Sequence, residues 1–400
     1  MPDTREASAA ILTTDTSLPI TPTIRQIDAL QLLRAIAVLL VVECHSGQVL
    51  DITGSYALPS LGIFGIDIFF VISGFILSLV VLKEQTPPGF QAMREFLKRR
   101  FIRIYPIYWV IALLTLARLA RAHHLFEHNY VAAFFLLPSL HYPGGETIIT
   151  YSWTMNFELF FYLLLGLILL KTIQWAIPVL IVSLVTLIAI GSITGIGHPV
   201  AILVANPILL EFVYGAVIAL LYVRMGRRRV AGIMVTALGI VAMFCLPLLR
   251  LPFTVANGAQ MIMVNNGALA RAATLGPCAA LIVGGVVFWS PSMKSTFGKW
   301  GVLLGNSSYS AYVVSALVLE FSFRIFFHLD PPPLLSFWNR LLFESTMVIA
   351  VMAAGLACYT FVEKPLLRWL QNQFLNKVPA RISTQVETPN IAVGTADSIT

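Results

Sequence analysis

His45 is the only one of the seven histidines in this chain that falls inside a long apolar run, and an ionisable group in such a place is costly enough to mark a functional candidate. Arg34 precedes it by eleven residues in LRAIAVLLVVECH. At about 100° per residue the two side chains return to one helix face, about 16 Å apart along the axis. Two carboxylates sit at matching depth in later apolar runs, Asp67 in GIDIFFVISGF and Glu158 in SWTMNFELFFY. A histidine oriented by a carboxylate can take the proton of a hydroxyl as its oxygen attacks a thioester, so His45 with Asp67 or Glu158 is a candidate general-base arrangement. The competing reading is structural: Arg34 snorkels to the interface, His45 bonds a neighbour, and the carboxylates pair with Arg or Lys. Arg100 and Arg103, three residues apart in REFLKRRFIRIYP, share a helical face and suit phosphate recognition. The same basic segment would also serve as a lipid anchor.

The elements that must position these residues are set by composition. Of 400 residues, 58% are hydrophobic and 11% charged, far from the roughly 25% charged residues of a soluble domain. Unbroken apolar runs without period-2 alternation predict helices crossing a bilayer, because backbone polar groups in lipid must be satisfied within the segment. Ten spans are expected, near 30–50, 61–82, 104–121, 152–170, 174–194, 199–222, 230–249, 268–289, 302–325 and 343–362, giving an all-α polytopic membrane protein. The net charge of +7 does not point to nucleic acid, because Lys and Arg concentrate in short segments between apolar runs. With both termini in the cytoplasm, 20 of the 26 Lys and Arg lie on the inner side, as the positive-inside rule requires. His123, His124, His128, His141, His198 and His328 then fall outside.

The four cysteines, Cys44, Cys245, Cys278 and Cys358, lie in apolar segments at no metal-ligand spacing, so no metal is expected. Residues 1–24 and 376–400 are polar, Thr/Ser-rich tails expected to be disordered, and flank a membrane domain over 25–375. There is no internal repeat, which weakens a reading as an inverted-repeat transporter. Gly62, Gly65 and Gly74 suit close helix packing, and Ser73 suits a hydrogen bond across helices.

Six segments, in order, resemble the acyltransferase-3 family of membrane O-acyltransferases, and within it the exopolysaccharide-production acetyltransferases of rhizobial type. They are LRAIAVLLVVECH, GIDIFFVISGF, FLKRRFIRIYPIYW, SWTMNFELFFYLL, LGNSSYSAYVV and FVEKPLLRWL, and the resemblance covers residues 24 to 370. It implies an acyl donor, normally acetyl-CoA, entering from the cytoplasm, with the essential histidine and arginine of the family falling on His45 and Arg34. It also implies that Arg100 and Arg103 handle the donor. Whether His45 is a general base or a transient acyl carrier stays open. Glu158 is followed by Leu159 where many members have a second carboxylate, and Ser315 stands where many have a histidine. Some members append an extracytoplasmic esterase-like domain; its absence favours a lipid-linked or nascent polysaccharide acceptor near the bacterial inner membrane, or help from polysaccharide-synthesis proteins. The rivals are a glycan or acyl-group transporter, a non-catalytic component of an export complex, and an enzyme using succinyl or another short acyl group.

Overall fold

The computed structural model describes residues 28–50, 62, 64–84, 86–121, 130–137, 148–149, 152–194, 198–246, 265–327 and 337–375. The two expected polar tails lie outside the described residues, as do His123, His124, His128, His141 and His328. Among the described residues the chain is all helical. In order the helices are α1 (Asp28–Leu50), α2 (Phe64–Leu82), α3 (Phe90–Arg121), α4 (Tyr130–Phe134), α5 (Thr154–Leu169), α6 (Ala176–Thr194) and α7 (Pro199–Val204). There follow α8 (Leu210–Met225), α9 (Arg229–Cys245), α10 (Asn265–Trp289), α11 (Thr296–Asn306), α12 (Ser308–Phe327), α13 (Phe337–Cys358) and α14 (Lys364–Phe374).

Against the ten expected spans, seven helical segments among the described residues are long and apolar enough to cross a membrane, and α11 with α12 makes an eighth if that bent pair is one span. The other two expected spans correspond to α5 and α9, of 16 and 17 residues. At 1.5 Å per residue they reach about 24–26 Å, short of a hydrocarbon layer of about 30 Å. Outward-facing apolar side chains, among them Val182, Val185 and Ile190 on α6 and Met234, Leu238 and Val241 on α9, are exposed. That inversion of the soluble pattern is what a lipid-facing surface requires, and the chain is a multi-pass membrane protein.

Three local features shape the interior. First, α3 starts at Phe90, well before the expected boundary at 104, so the basic segment is a helical extension of the span rather than a loop. Arg100 and Arg103 are therefore held on a continuous helix. Second, α2 packs against α1, α8 and α10, and its crossing with α8 brings backbone onto backbone. A Cβ on Gly74 would run into the carbonyl of Phe212, and one on Gly215 into the carbonyl of Val71, the close approach that small residues permit in membranes. Third, the ninth expected span is broken at Ser307, where α11 and α12 meet at a 64° bend. The Ser307 hydroxyl turns back to donate to the Leu304 carbonyl at 2.9 Å, and its N–H bonds the carbonyl of Leu303 at 3.1 Å, so the end of α11 is satisfied locally.

The aromatic interior is layered beside this frame. Phe212 stacks between Phe70 and Phe161 with centroids 4.7 Å from each, tying α2, α5 and α8 together.

Candidate active site

The helices α1, α2, α3, α5 and α12 enclose a cavity of about 250 Å³. On α1 it is lined by Gln31, Arg34 and Val41, positions that fall on one helical stripe. His45 is the next member of that stripe, one turn beyond Val41, and is half-buried. It is not among the residues that line the cavity.

The polar wall carries Arg34, Arg100 and Arg103 opposite a single wall carboxylate, Glu158. Glu158 is held by two hydroxyls on one oxygen: Ser73 Oγ of α2 donates to Oε1 at 3.1 Å, and the Tyr162 hydroxyl, one turn along α5, donates to the same atom. Arg34 Nη1 donates to Gln31 Oε1 at 3.4 Å, a long bond. The Arg100 guanidinium lies 5.7 Å from the centroid of Phe96, while its Nε is buried with no hydrogen-bond partner. Arg34 lies within electrostatic range of Arg103, Glu158 and Glu363, and Arg100 within range of Arg103 and Glu158. A wall with three guanidiniums and one carboxylate has a surplus of positive charge in a low-dielectric setting, where an anionic guest is strongly favoured.

Tyrosines and small hydroxyl side chains complete the wall. Tyr309 donates to the Ile104 carbonyl at 2.7 Å, fixing α12 to α3, and Tyr312 shares a 2.6 Å hydrogen bond with Thr154. Behind them Glu363, 3% exposed, accepts from Ser310 Oγ at 2.5 Å. It is delivered by a π-helical turn over Tyr359–Glu363, a distortion of the ladder that often accompanies functional positions.

Of the residues singled out in the sequence, the structure thus brings Arg34, Arg100, Arg103 and Glu158 to one cavity. Asp67 is elsewhere. It is fully buried and receives two bonds from Arg271 of α10, Nε to Oδ1 at 3.1 Å and Nη2 to Oδ2 at 2.7 Å. The expected common layer of His45, Asp67 and Glu158 divides in two, because Glu158 meets α2 at Ser73, six residues and about 9 Å further along the helix than Asp67. Arg271 and the neighbouring buried Glu211 of α8 were missed by sequence reasoning, although each is a charge within an apolar run. Glu363 lies in FVEKPLLRWL, but neither its burial nor its nearness to Arg34 is legible from spacing.

The fold and site define a polytopic helical membrane protein with a cation-rich internal cavity. The acyltransferase-domain family model matches residues 27–360, and the chain belongs to that family: it is a membrane acyltransferase, transferring groups other than aminoacyl groups. It is 27% identical over 322 residues to the exopolysaccharide production protein ExoZ of Rhizobium meliloti (strain 1021), covering 77% of this chain and 90% of that protein. A candidate O-acetyltransferase of Staphylococcus aureus (strain COL) is 28% identical over 158 residues, which is 36% of this chain and 25% of that one. No solved structure matches the chain.

Proposed function

We propose that this protein is an O-acetyltransferase of the bacterial inner membrane, using acetyl-CoA to acetylate a sugar hydroxyl of an exopolysaccharide or another envelope glycan. The observation that carries the reading is the cation-rich cavity running along α1 from Gln31 and Arg34 to Val41, one turn short of His45. The two ends suit the two ends of an acyl-CoA. Arg34, Arg100 and Arg103 would hold the phosphates, and the about 16 Å of α1 between Arg34 and His45 is a distance a pantetheine arm can span. At about 250 Å³ the cavity is smaller than the roughly 300 Å³ at which drug-sized pockets begin, so it fits part of the donor, with the remainder towards the inner surface. The unpartnered Arg100 Nε supports an anionic guest.

In this reading His45 accepts the proton of the acceptor hydroxyl, whose oxygen forms the new ester bond at the thioester carbonyl as the carbon–sulfur bond breaks. The proton is then returned to the departing thiolate. Glu158, fixed by Ser73 and Tyr162, orients the arginine cluster. The name of the Rhizobium relative supports an exopolysaccharide acceptor, and that of the staphylococcal relative supports acetyl as the group moved.

The test is the O-acetyl content of cell-surface polysaccharide, by proton NMR, in a deletion strain complemented with wild type or His45→Ala at matched protein level. Loss in the deletion, restoration by wild type and no restoration by His45→Ala are expected. Full restoration by His45→Ala would remove the histidine from the chemistry, and unchanged acetylation in the deletion would remove acetyl transfer to this glycan.

A further inference from the structure

The bend at Ser307 aims the start of α12 at the cavity. Ser308, Tyr309 and Tyr312 all line it, so the first turn of this 20-residue helix faces the enclosed space. The opening N–H groups of any helix have no intrahelical acceptor and carry the positive end of its dipole. One flank of this end is already satisfied from within the chain, where Ser310 donates both its hydroxyl and its backbone N–H to the carboxylate of Glu363 and the Ala311 N–H bonds the Ser307 carbonyl at 2.9 Å. The other flank is not. Ser308 is 0% exposed, and its hydroxyl is buried with no hydrogen-bond partner. Burying such a group without an acceptor is costly.

The position along the cavity says which part of a guest would be there. Three residues before Ser308, Gly305 packs so tightly on Gln31 of α1 that a Cβ would collide with the Gln31 carbonyl. The start of α12 therefore borders the Gln31–Arg34 end of the cavity, about three turns from His45. At this level the wall offers Arg34 together with an unsatisfied serine hydroxyl and a helix N-terminus. Arg100, whose Nε also lacks a partner, lines the same space. That donor set fits the oxygens of a phosphoryl group, not a neutral acyl tail.

We propose that the N-terminus of α12, with Ser308 as its side-chain donor, is a phosphoryl subsite that holds a phosphate of the acyl donor beside Arg34. The inference rests on the acyl-CoA reading above and adds to it a helix terminus and a residue. Ser308 is a binding residue that holds the donor at the end remote from the reacting carbonyl.

The experiment measures binding of CoA and of pantetheine, which lacks all phosphates, to purified full-length wild type, Ser308→Ala and Ser308→Asp in detergent, with thermal melting of each. Ser308→Ala is expected to weaken CoA about tenfold, the loss of a hydrogen bond to a charged group, and to leave pantetheine unchanged. Ser308→Asp puts a fixed anion at this helix start and is expected to abolish CoA binding, with the melting curve separating lost binding from lost folding at this buried position. CoA affinity unchanged in both variants would overturn the subsite and leave the donor reading standing. Equal losses for CoA and pantetheine would also overturn it, since the serine would then only shape the cavity. Wild type that binds no CoA would overturn the donor reading itself and this inference with it.

Discussion

Asp67 and Glu158 are chemically alike and were read alike from the sequence, yet their surroundings give them different work. Asp67 faces Arg271 in a two-bond ion pair with 0% and 4% side-chain exposure, and such a pair is far more costly to halve than to keep. Asp67→Ala leaves Arg271 with the neighbouring Glu211 and is expected to destabilise the protein by at most about 3–5 kcal/mol, whereas Asp67→Ala with Arg271→Met should recover most of that loss in thermal melting. If Asp67→Ala melted like wild type but lost activity, a direct role in the chemistry would replace the structural one. For Glu158, the two hydroxyl donors predict a graded response. Tyr162→Phe removes one of the two bonds to this carboxylate, and a loss of about 0.5–1.5 kcal/mol in donor binding is expected if the carboxylate positions the arginines. An unchanged apparent affinity for acetyl-CoA in Tyr162→Phe would sink that role. The sequence showed both carboxylates because a charge in an apolar run stands out; it did not show their partners, because partner choice depends on how far each helix is shifted along its neighbour. Six residues of α2 separate the two outcomes.

At the scale of elements, apolar runs located the spans that line the cavity, and helical spacing gave the shared stripe of Arg34 and His45 on α1 and the shared face of Arg100 and Arg103, although the helix carrying that pair starts at Phe90, well before the expected boundary at 104. Ser73 was legible as a cross-helix donor, and it bonds Glu158. What hydropathy could not register was breaks and crossings. One span is expected across 302–325 although GNSSYS at 305–310 interrupts its apolar content, and at that interruption a 64° bend turns the start of α12 into the site. The crossing of α2 and α8 at Gly74 and Gly215 sets where Ser73, the immediate neighbour of Gly74, meets Glu158. Gly215→Val is therefore expected to force the two helices apart, at a cost of at least the about 1–3 kcal/mol of an overpacked core, and to reduce donor affinity in the fraction that still folds. A folded Gly215→Val protein with wild-type affinity and melting would mean that the crossing does not set the site.

For the whole molecule, the number of crossings decides which ends share a side. The seven long segments alone are odd in number, and would leave the termini on opposite faces. Adding the bent pair α11–α12 and the two short helices α5 and α9 gives ten, an even count that returns the C-terminus to the side of the N-terminus and keeps the basic turn at Arg227, Arg228 and Arg229 on the inner face. The short helices can cross if the bilayer thins locally or flanking residues snorkel, at a modest cost per ångström of mismatch. In that ten-span topology the Arg100 and Arg103 end of the cavity would open to the cytoplasm, where the proposed donor would enter, because both arginines lie on the N-terminal extension of α3. In a background without native cysteines, His198→Cys is expected to react with an impermeant thiol reagent on intact cells, and Arg228→Cys and Lys294→Cys only after permeabilisation. A reporter that fluoresces only in the cytoplasm should be bright when fused after Thr400. Labelling of Lys294→Cys from outside would mean that α9 does not cross, and a dark C-terminal fusion with Lys294→Cys protected would assign the failure to α11–α12 or α13. Either result would move the start of α12 relative to the inner surface, and an acyl donor would then have to reach Arg34 by another route.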